Sequence, residues 1–449
     1  MGGQKLSFRS KRVLRATSVV AIAGLASVGL LATGAGAQSS TDPGVSAKAV
    51  KLGYIFSETG VAGSTFKNAG KACQARVDRQ NANGGVNGRK INMEIVDDAS
   101  SSANLTAAQD LVQNRDVFAV VNNSSFAFLA YRYLLGAGVP IIGGGYDGTY
   151  YGQKGNEDII SSLGNGAPFN GLGYDTVGKV MKQLGATKTA ALGYGASASS
   201  SASAKTTQDY AAPAAGLKPV YTNTTVDFGS TDVGPLALGI KNSGADAVYL
   251  PLVAASNFAI VQALAQNNVN MKANVLATGY GQDLLDSPIA STLTPNTVLF
   301  STYKPVELKD KATKQFQADL KKYAGVTGVP DYGDYLGYIT CELAILGLQN
   351  AGKTPTRRGF IDGLHKLGKY DAAGLSCQPI DISTAGFGKA PAKNCSYFEY
   401  VKNGKFVVMN KGKPYVGDLV GSEAALKANA TGNPDLVTAT TAAPTTAAP

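Results

Sequence analysis

The sequence offers little to a nucleophilic or metal-assisted reaction. Its single histidine, His365, stands between Gly363 and Lys366 in a helix-like run (357–368), which suits packing or surface exposure better than general-base work. A Ser-His-Asp site needs a histidine at a strand-end cleft and is commonly announced by a G-x-S-x-G elbow, and no such elbow is present. One histidine and four scattered cysteines lack the spacing of a zinc site. The glycine run GGGYDG (143–148) lacks the G-K-[ST] ending of a phosphate loop and reads as a strand end that another group approaches closely. No catalytic residue, metal or cofactor is therefore expected, and the remaining chemistry is that of reversible binding.

The elements that would position such a site alternate in kind. From residue 50, short apolar runs are separated by amphipathic stretches of helical length, the pattern of parallel α/β sheets. Strands are expected at 50–56, 91–97, 117–121, 139–143 and 157–162, and a second array at 189–194, 218–224, 245–252, 274–279 and 296–302. Phe66, Ala69, Cys73 and Val77 recur at helical spacing and would face the first sheet. Gly84-Gly85 ends that helix, and Asn87-Gly88 makes a turn. Helices are expected at 311–325, 332–352 and 357–368, then short strands at 377–383, 396–401 and 405–409. Two arrays in 449 residues mean two lobes, with crossings near Asn165–Asn170 and Thr302–Pro305. The segment 196–207, ASASSSASAKTT, reads as a small-polar loop.

The ends read differently. Lys5, Arg9, Lys11, Arg12 and Arg15 precede an apolar stretch at 19–32 and the small residues Ala35-Gly36-Ala37, the plan of an export signal cleaved before Gln38. A retained membrane helix is the alternative. No cysteine lies near that boundary, so a lipid anchor is not expected. The formal charge of +10 includes the leader's five basic and no acidic residues, leaving +5, with no basic stripe interleaved with aromatics to suggest nucleic acid. In an oxidising compartment the cysteines are expected to pair. Cys377–Cys395 is the favoured bridge, and Cys73 and Cys341 form either a second bridge or two buried thiols. The Thr/Ala/Pro tail (436–449) cannot bury enough apolar surface to fold and reads as a spacer, inert or wall-associated.

The stretch QNANGGVNGRKINMEIVDDAS (80–100), preceded by GYIFSETG (53–60), resembles the opening of the leucine/isoleucine/valine-binding family of periplasmic binding proteins, and the order of elements stays compatible from Lys48 to Met409. The resemblance implies a type I fold: two Rossmann-like lobes with parallel-core sheets, joined by three crossovers, with the ligand cleft between them. The implied division is a leader at 1–37, the first lobe at 48–166 and 303–375, the second at 167–302, C-terminal strands at 376–420 and a disordered tail at 421–449. It implies no enzyme but a monomer that passes a small organic solute to ABC permease subunits. A signalling receptor and a secreted hydrolase are the rival readings.

Carried over position by position, the family's ligand contacts fall on Ser57 and Thr59 after the first strand and on Asn123, Ser124 and Ser125 at a strand end. Hydroxyls and N–H groups at a helix start suit a carboxylate, although Ser125 also reads as a simple cap. Gly144, Gly145 and Tyr146 follow the fourth strand, and Tyr194 follows the first strand of the second lobe. The acidic residue that would pair with a ligand ammonium is missing after Gly279, where Tyr280, Gly281 and Gln282 stand and Asp283 lies just beyond. A buried ammonium without that partner is costly, so an ordinary α-amino acid is not the expected ligand. Phe66, Phe126, Tyr146, Tyr194 and Tyr280 would instead line the cleft and stack on a planar or apolar molecule.

Overall fold

The computed structural model describes residues 42–145, 150–164, 171–230 and 232–431. Buried apolar runs build its first sheet: β1 (Ala49–Phe56), β2 (Lys90–Asp97), β3 (Ala119–Asn123), β4 (Ile141–Gly143) and β5 (Ile159–Ser161), in the order β2-β1-β3-β4-β5 with every pair parallel. Side chains alternate across it. Leu52, Tyr54 and Phe56 point to one hydrophobic layer, while Ile55, Val120 and Ile141 point to the other.

The helix Ala69–Ala82 covers the first of these faces together with Tyr332–Asn350, which arrives 250 residues later in the chain but packs against it. Gly337 is required there, because a Cβ would stand 1.9 Å from the Ala69 carbonyl oxygen. A Cys73–Cys341 bridge joins the two helices, with Cα atoms 5.3 Å apart, and the largely buried Arg76–Glu342 ion pair lies beside it. The alternative of two free thiols for this pair is thereby corrected: close helix packing brings the two sulfurs within bonding reach. Cys377–Cys395 is the second bridge, with Cα atoms 5.9 Å apart.

The second sheet contains β6 (Leu172–Tyr174), β7 (Lys188–Tyr194), β8 (Lys218–Val226), β9 (Ala247–Leu250), β10 (Ala273–Leu276) and β11 (Thr297–Ser301). A two-residue hairpin, β12 (Lys369–Tyr370) with β13 (Ile380–Asp381), precedes three closing strands, β14 (Lys393–Lys402), β15 (Lys405–Val408) and β16 (Tyr415–Gly421). The order is β6-β16-β14-β11-β10-β9-β7-β8, parallel from β11 to β8 and antiparallel where β14 and β16 return. The sheet is thus mixed, with a parallel core. Both sheets lie in one compact unit.

The chain passes between the sheets after β5, after β11 and after the helix Arg357–Leu367. The last two passages lie side by side: Tyr303 bridges Ser376, Lys304 N–H donates to Leu375 O (2.7 Å) and Cys377 N–H donates to Thr302 O (3.0 Å). The expected crossing at 165–170, the leader, and the tail beyond 431 lie outside the described residues.

Two expectations need correction. The segment 196–207 is a helix, Ala198–Thr206, extended by a π turn, Thr207–Ala211. Ser197 caps it by accepting from Ser200 N–H, and Ser200, Ala204 and Thr206 are buried, so packing outweighs the weak helical preference of serine. Residues 423–431, expected to belong to the disordered tail, instead form the helix Glu423–Thr431, which buries Ala425 and Ala428.

Candidate functional site

The carboxyl ends of β1, β3 and β4 face those of β7, β9 and β10 across a cavity of about 570 Å³. Thr65, Phe66, Ser125 and Gly145 line it from the first lobe. Tyr194, Phe228, Val253 and Thr278 line it from the second, and Tyr303 lines it from the adjoining passages. Gly145 has φ +75° and no room for a side chain, since a Cβ would meet Ser161 Oγ at 2.1 Å.

Of the positions expected from sequence, Phe66, Ser125, Gly145 and Tyr194 line this cavity. Ser57 and Ser124 sit just behind it and are fully buried. Their hydroxyls donate to Asp98, which also accepts from Asn104 Nδ2 (3.0 Å) and Ser100 N–H (3.0 Å). Ser124 Oγ in turn accepts from Phe126 N–H at 2.8 Å. A carboxylate buried with four donors is well satisfied, so these serines hold the loops rather than face the cavity. Thr59 donates to Asp97 at 2.6 Å. The same carboxylate takes the N–H groups of Glu58, Thr59 and Ala99, which hold it below the usual carboxylate range despite partial burial. Asn123 turns into the first lobe, donating to Tyr54 OH (2.9 Å) and Thr340 Oγ1 (2.6 Å). Gly144 is buried and accepts from Ser161 Oγ at 3.3 Å. Tyr146 lies outside the described residues.

Tyr280, Gln282 and Asp283 are displaced from the main cavity. Tyr280 OH donates to Glu307 at 2.7 Å, and its ring packs 4.6 Å from Phe406. Tyr280 and Asp283 line a second space of about 230 Å³ with Lys67 and Asp331, where Lys67 and Asp283 form an ion pair. Gln282 exchanges two hydrogen bonds with Val329 (2.8 and 3.1 Å), on the segment entering the helix Tyr332–Asn350. The three residues therefore tie the lobes together. Tyr280 fills the place where an ammonium-pairing acid was expected, and its hydroxyl is held elsewhere.

The lobes also meet at the cavity itself. The helix Ala254–Gln266 has no capping side chain of its own. Its first N–H groups are met across the gap: Ala254 donates to Thr65 Oγ1 (3.0 Å) and Ala255 to Ser64 Oγ (3.4 Å). Tyr194 OH accepts from Val253 N–H (3.3 Å) and donates to Ser256 Oγ (2.8 Å); burial raises this phenol above its usual value, so it keeps its proton. Phe228, which sequence reasoning missed, packs 4.6 Å from Tyr194 and 5.6 Å edge-on from Phe126 of the first lobe. Thr65 and the serine-rich helix were missed too. In the latter, Ser199, Ser203 and Thr206, spaced by four and three, were the available signal.

His365 is buried, with ring nitrogens 2.9 Å from Ile382 O and 3.0 Å from Glu157 O, so it braces the first lobe away from the cavity. No group of residues suited to holding a metal ion occurs among the described residues, nor any helix long and apolar enough to cross a membrane.

No curated protein matches the sequence. Among solved structures, a fatty acid ABC transporter substrate-binding protein from Thermomonospora curvata is similar at 18% identity and TM-score 0.68, covering 87% of this chain and 96% of that one. A solute-binding protein of an R. palustris ABC transporter, in complex with benzoate, is similar at 16% identity and TM-score 0.66, covering 84% and 98%. A branched-chain amino acid transporter substrate-binding protein from Streptococcus pneumoniae, in complex with isoleucine, is similar at 21% identity and TM-score 0.63, covering 80% and 99%. At these identities the likeness is one of fold. The family profile described as periplasmic binding protein matches residues 49–405, most of the sequence, and the chain belongs to that family.

Proposed function

We propose that this protein is the solute-binding component of an ABC importer, working outside the cytoplasmic membrane. It encloses one small organic molecule between its lobes and releases it unaltered to a permease. The observation that carries this reading is the cavity of about 570 Å³ between opposed strand ends, closed over by hydrogen bonds from one lobe to the other. A space of that size, walled by aromatic rings and a few hydroxyls, fits a drug-sized ligand. Separation of the lobes about the paired passages at Thr302–Lys304 and Leu375–Cys377 would admit it. The relatives described as carrying fatty acids, benzoate or isoleucine support the solute class without choosing among them. The leader and the two cystine bridges support an exported location.

The cavity residues are assigned accordingly. Ser125, Gly145, Tyr194 and Phe66 are direct contacts, and Ser57 and Ser124 position the loop that carries Ser125. A thermal-shift screen of the intact mature chain against amino acids, aromatic acids and fatty acids tests the reading, because a ligand that binds only the folded form raises the melting temperature. One saturable ligand, bound once per chain and recovered unchanged, is the expected result. Chemical turnover of that ligand, or no ligand in any class, overturns it.

A further inference from the structure

We propose that the inner part of the cavity holds the hydrocarbon chain of an elongated, singly anionic ligand. This deepens the solute-binding reading above and rests on it. The size follows from the space: about 570 Å³ lies in the range of pockets that enclose drug-sized ligands.

The shape follows from one element. The cavity continues from the strand ends along the second sheet, beneath the serine-rich helix Ala198–Thr206. Ser199, Ser203 and Thr206 form one wall, and Tyr249, Ala277 and Phe300 on the sheet form the other. Ser203 Oγ and Tyr249 OH are 3.1 Å apart, so the helix is seated on the sheet. Its small side chains nevertheless leave a trough that larger ones would fill. Interiors are packed to crystal-like density, and a trough of this kind, continuous with a ligand cleft, is a place for a guest. The π turn Thr207–Ala211 extends the wall towards Leu172 and Ala390.

The charge follows from the lining. Among the described residues, the side chains there that are ionised at neutral pH are Lys369, Asp381 and Lys389, all on the chain's return between the lobes. Lys369 and Asp381 pair at 2.9 Å with side chains 66% and 41% exposed, and Lys389 is exposed as well. They form a wet rim with two lysines to one aspartate, while the inner wall carries aromatic, aliphatic and hydroxyl groups. Among the described residues, a cationic group carried inward would lose its water without meeting a carboxylate. An acid head at the rim with its chain inside satisfies both regions.

The test is isothermal titration of the mature chain with octanoate, palmitate, benzoate and leucine, each below its aggregation limit. Palmitate is expected to bind once per chain, with affinity rising about fourfold per methylene from octanoate. Ser203→Trp, which fills the trough, is expected to weaken palmitate at least tenfold with little change in the free protein's melting temperature. If that variant fails to fold, the chain-length series on the unaltered protein decides. Palmitate binding no tighter than octanoate, or saturable binding of leucine or benzoate without palmitate, overturns this inference and leaves the solute-binding reading standing. Failure of all four, together with an empty thermal-shift screen, removes that reading and the inference with it.

Discussion

Thr65 and Ser64 cap a helix of the opposite lobe, and the strength of that contact sets how firmly the cleft shuts. The Ala254 N–H reaches Thr65 Oγ1 at 3.0 Å, inside a buried contact, while the Ala255 N–H reaches Ser64 Oγ at 3.4 Å, near the limit of a useful bond. A net hydrogen bond is worth about 0.5–1.5 kcal/mol. Opening returns these N–H groups to water rather than leaving them orphaned, so the net figure applies and not the desolvation penalty. Thr65→Val keeps the shape and removes the acceptor; combined with Ser64→Ala it should cost the closed form about 1–2 kcal/mol. That is a factor of roughly 5–30 in an equilibrium constant. If the free protein is mainly open, the whole factor appears in Kd, because apparent affinity scales with the closed fraction. If it is mainly closed, affinity is buffered and the shift appears as a larger radius of gyration in solution scattering. Calorimetry and scattering on the double variant therefore cover both cases. An affinity within twofold together with unchanged scattering would refute the claim that this contact holds the lobes together.

Three further outcomes are expected. Ser125→Ala should lower ligand affinity with little loss of stability, whereas Ser124→Ala removes a donor from buried Asp98 and should lower stability to urea by about 1–3 kcal/mol; equal effects of the two on both measurements would contradict the separation of roles. The Cys73–Cys341 bridge spans 268 residues and Cys377–Cys395 only 18, so loop entropy favours the first, about 5.6 against 3.2 kcal/mol; replacing each pair by Ala and comparing urea midpoints checks the order. Asp334 is buried beside Asp331, and desolvation followed by that neighbour's charge raises it to about 8. The folded chain then binds a proton that the unfolded chain has lost, so this group's contribution to stability falls as pH rises from about 4 through 8. Asp334→Asn keeps an acceptor for the Asp331 N–H (2.9 Å) and should flatten that slope; an unchanged pH dependence of the melting temperature would count against the raised value.

The strands of both lobes were legible because parallel sheets bury both faces and show as continuous apolar runs, as in β1 and β9. The long helix Tyr332–Asn350 was equally plain, carrying a strong start at Asp331, whose side chain caps it reciprocally with Asp334. The serine-rich helix was not legible. In ASASSSASAKTT the alanines favour a helix but the serines and threonines compete with it, and the Ser197 cap and the sheet beneath decide the matter. The closing strand β16 and the helix Glu423–Thr431 were missed for a related reason: β16 is largely half-exposed and is set by pairing with β14 and β6, and the helix is held by a small apolar contact with Ala390 and Leu172.

At the site, strand order told where loops would gather but not which polar groups would be used up on arrival. Ser124 lies at the expected strand end, yet Asp98, 26 residues earlier, accepts its hydrogen bond; Tyr280 occupies the expected turn, yet Glu307, 27 residues later, turns its hydroxyl away. Such partners meet only through topology, whereas Tyr194 and Ser125 keep their places because their neighbours leave them facing the gap. The same logic bears on what the cleft selects. Its proposed trough is defined by side chains that stop short, and a missing volume leaves no motif in a sequence. A run of small residues in a lobe's first helix after the leading strand becomes informative only once a sheet face is known to lie opposite. Ser203 facing Tyr249 is where that condition is met in this protein, and it is there that a single bulky residue should separate long ligands from short ones.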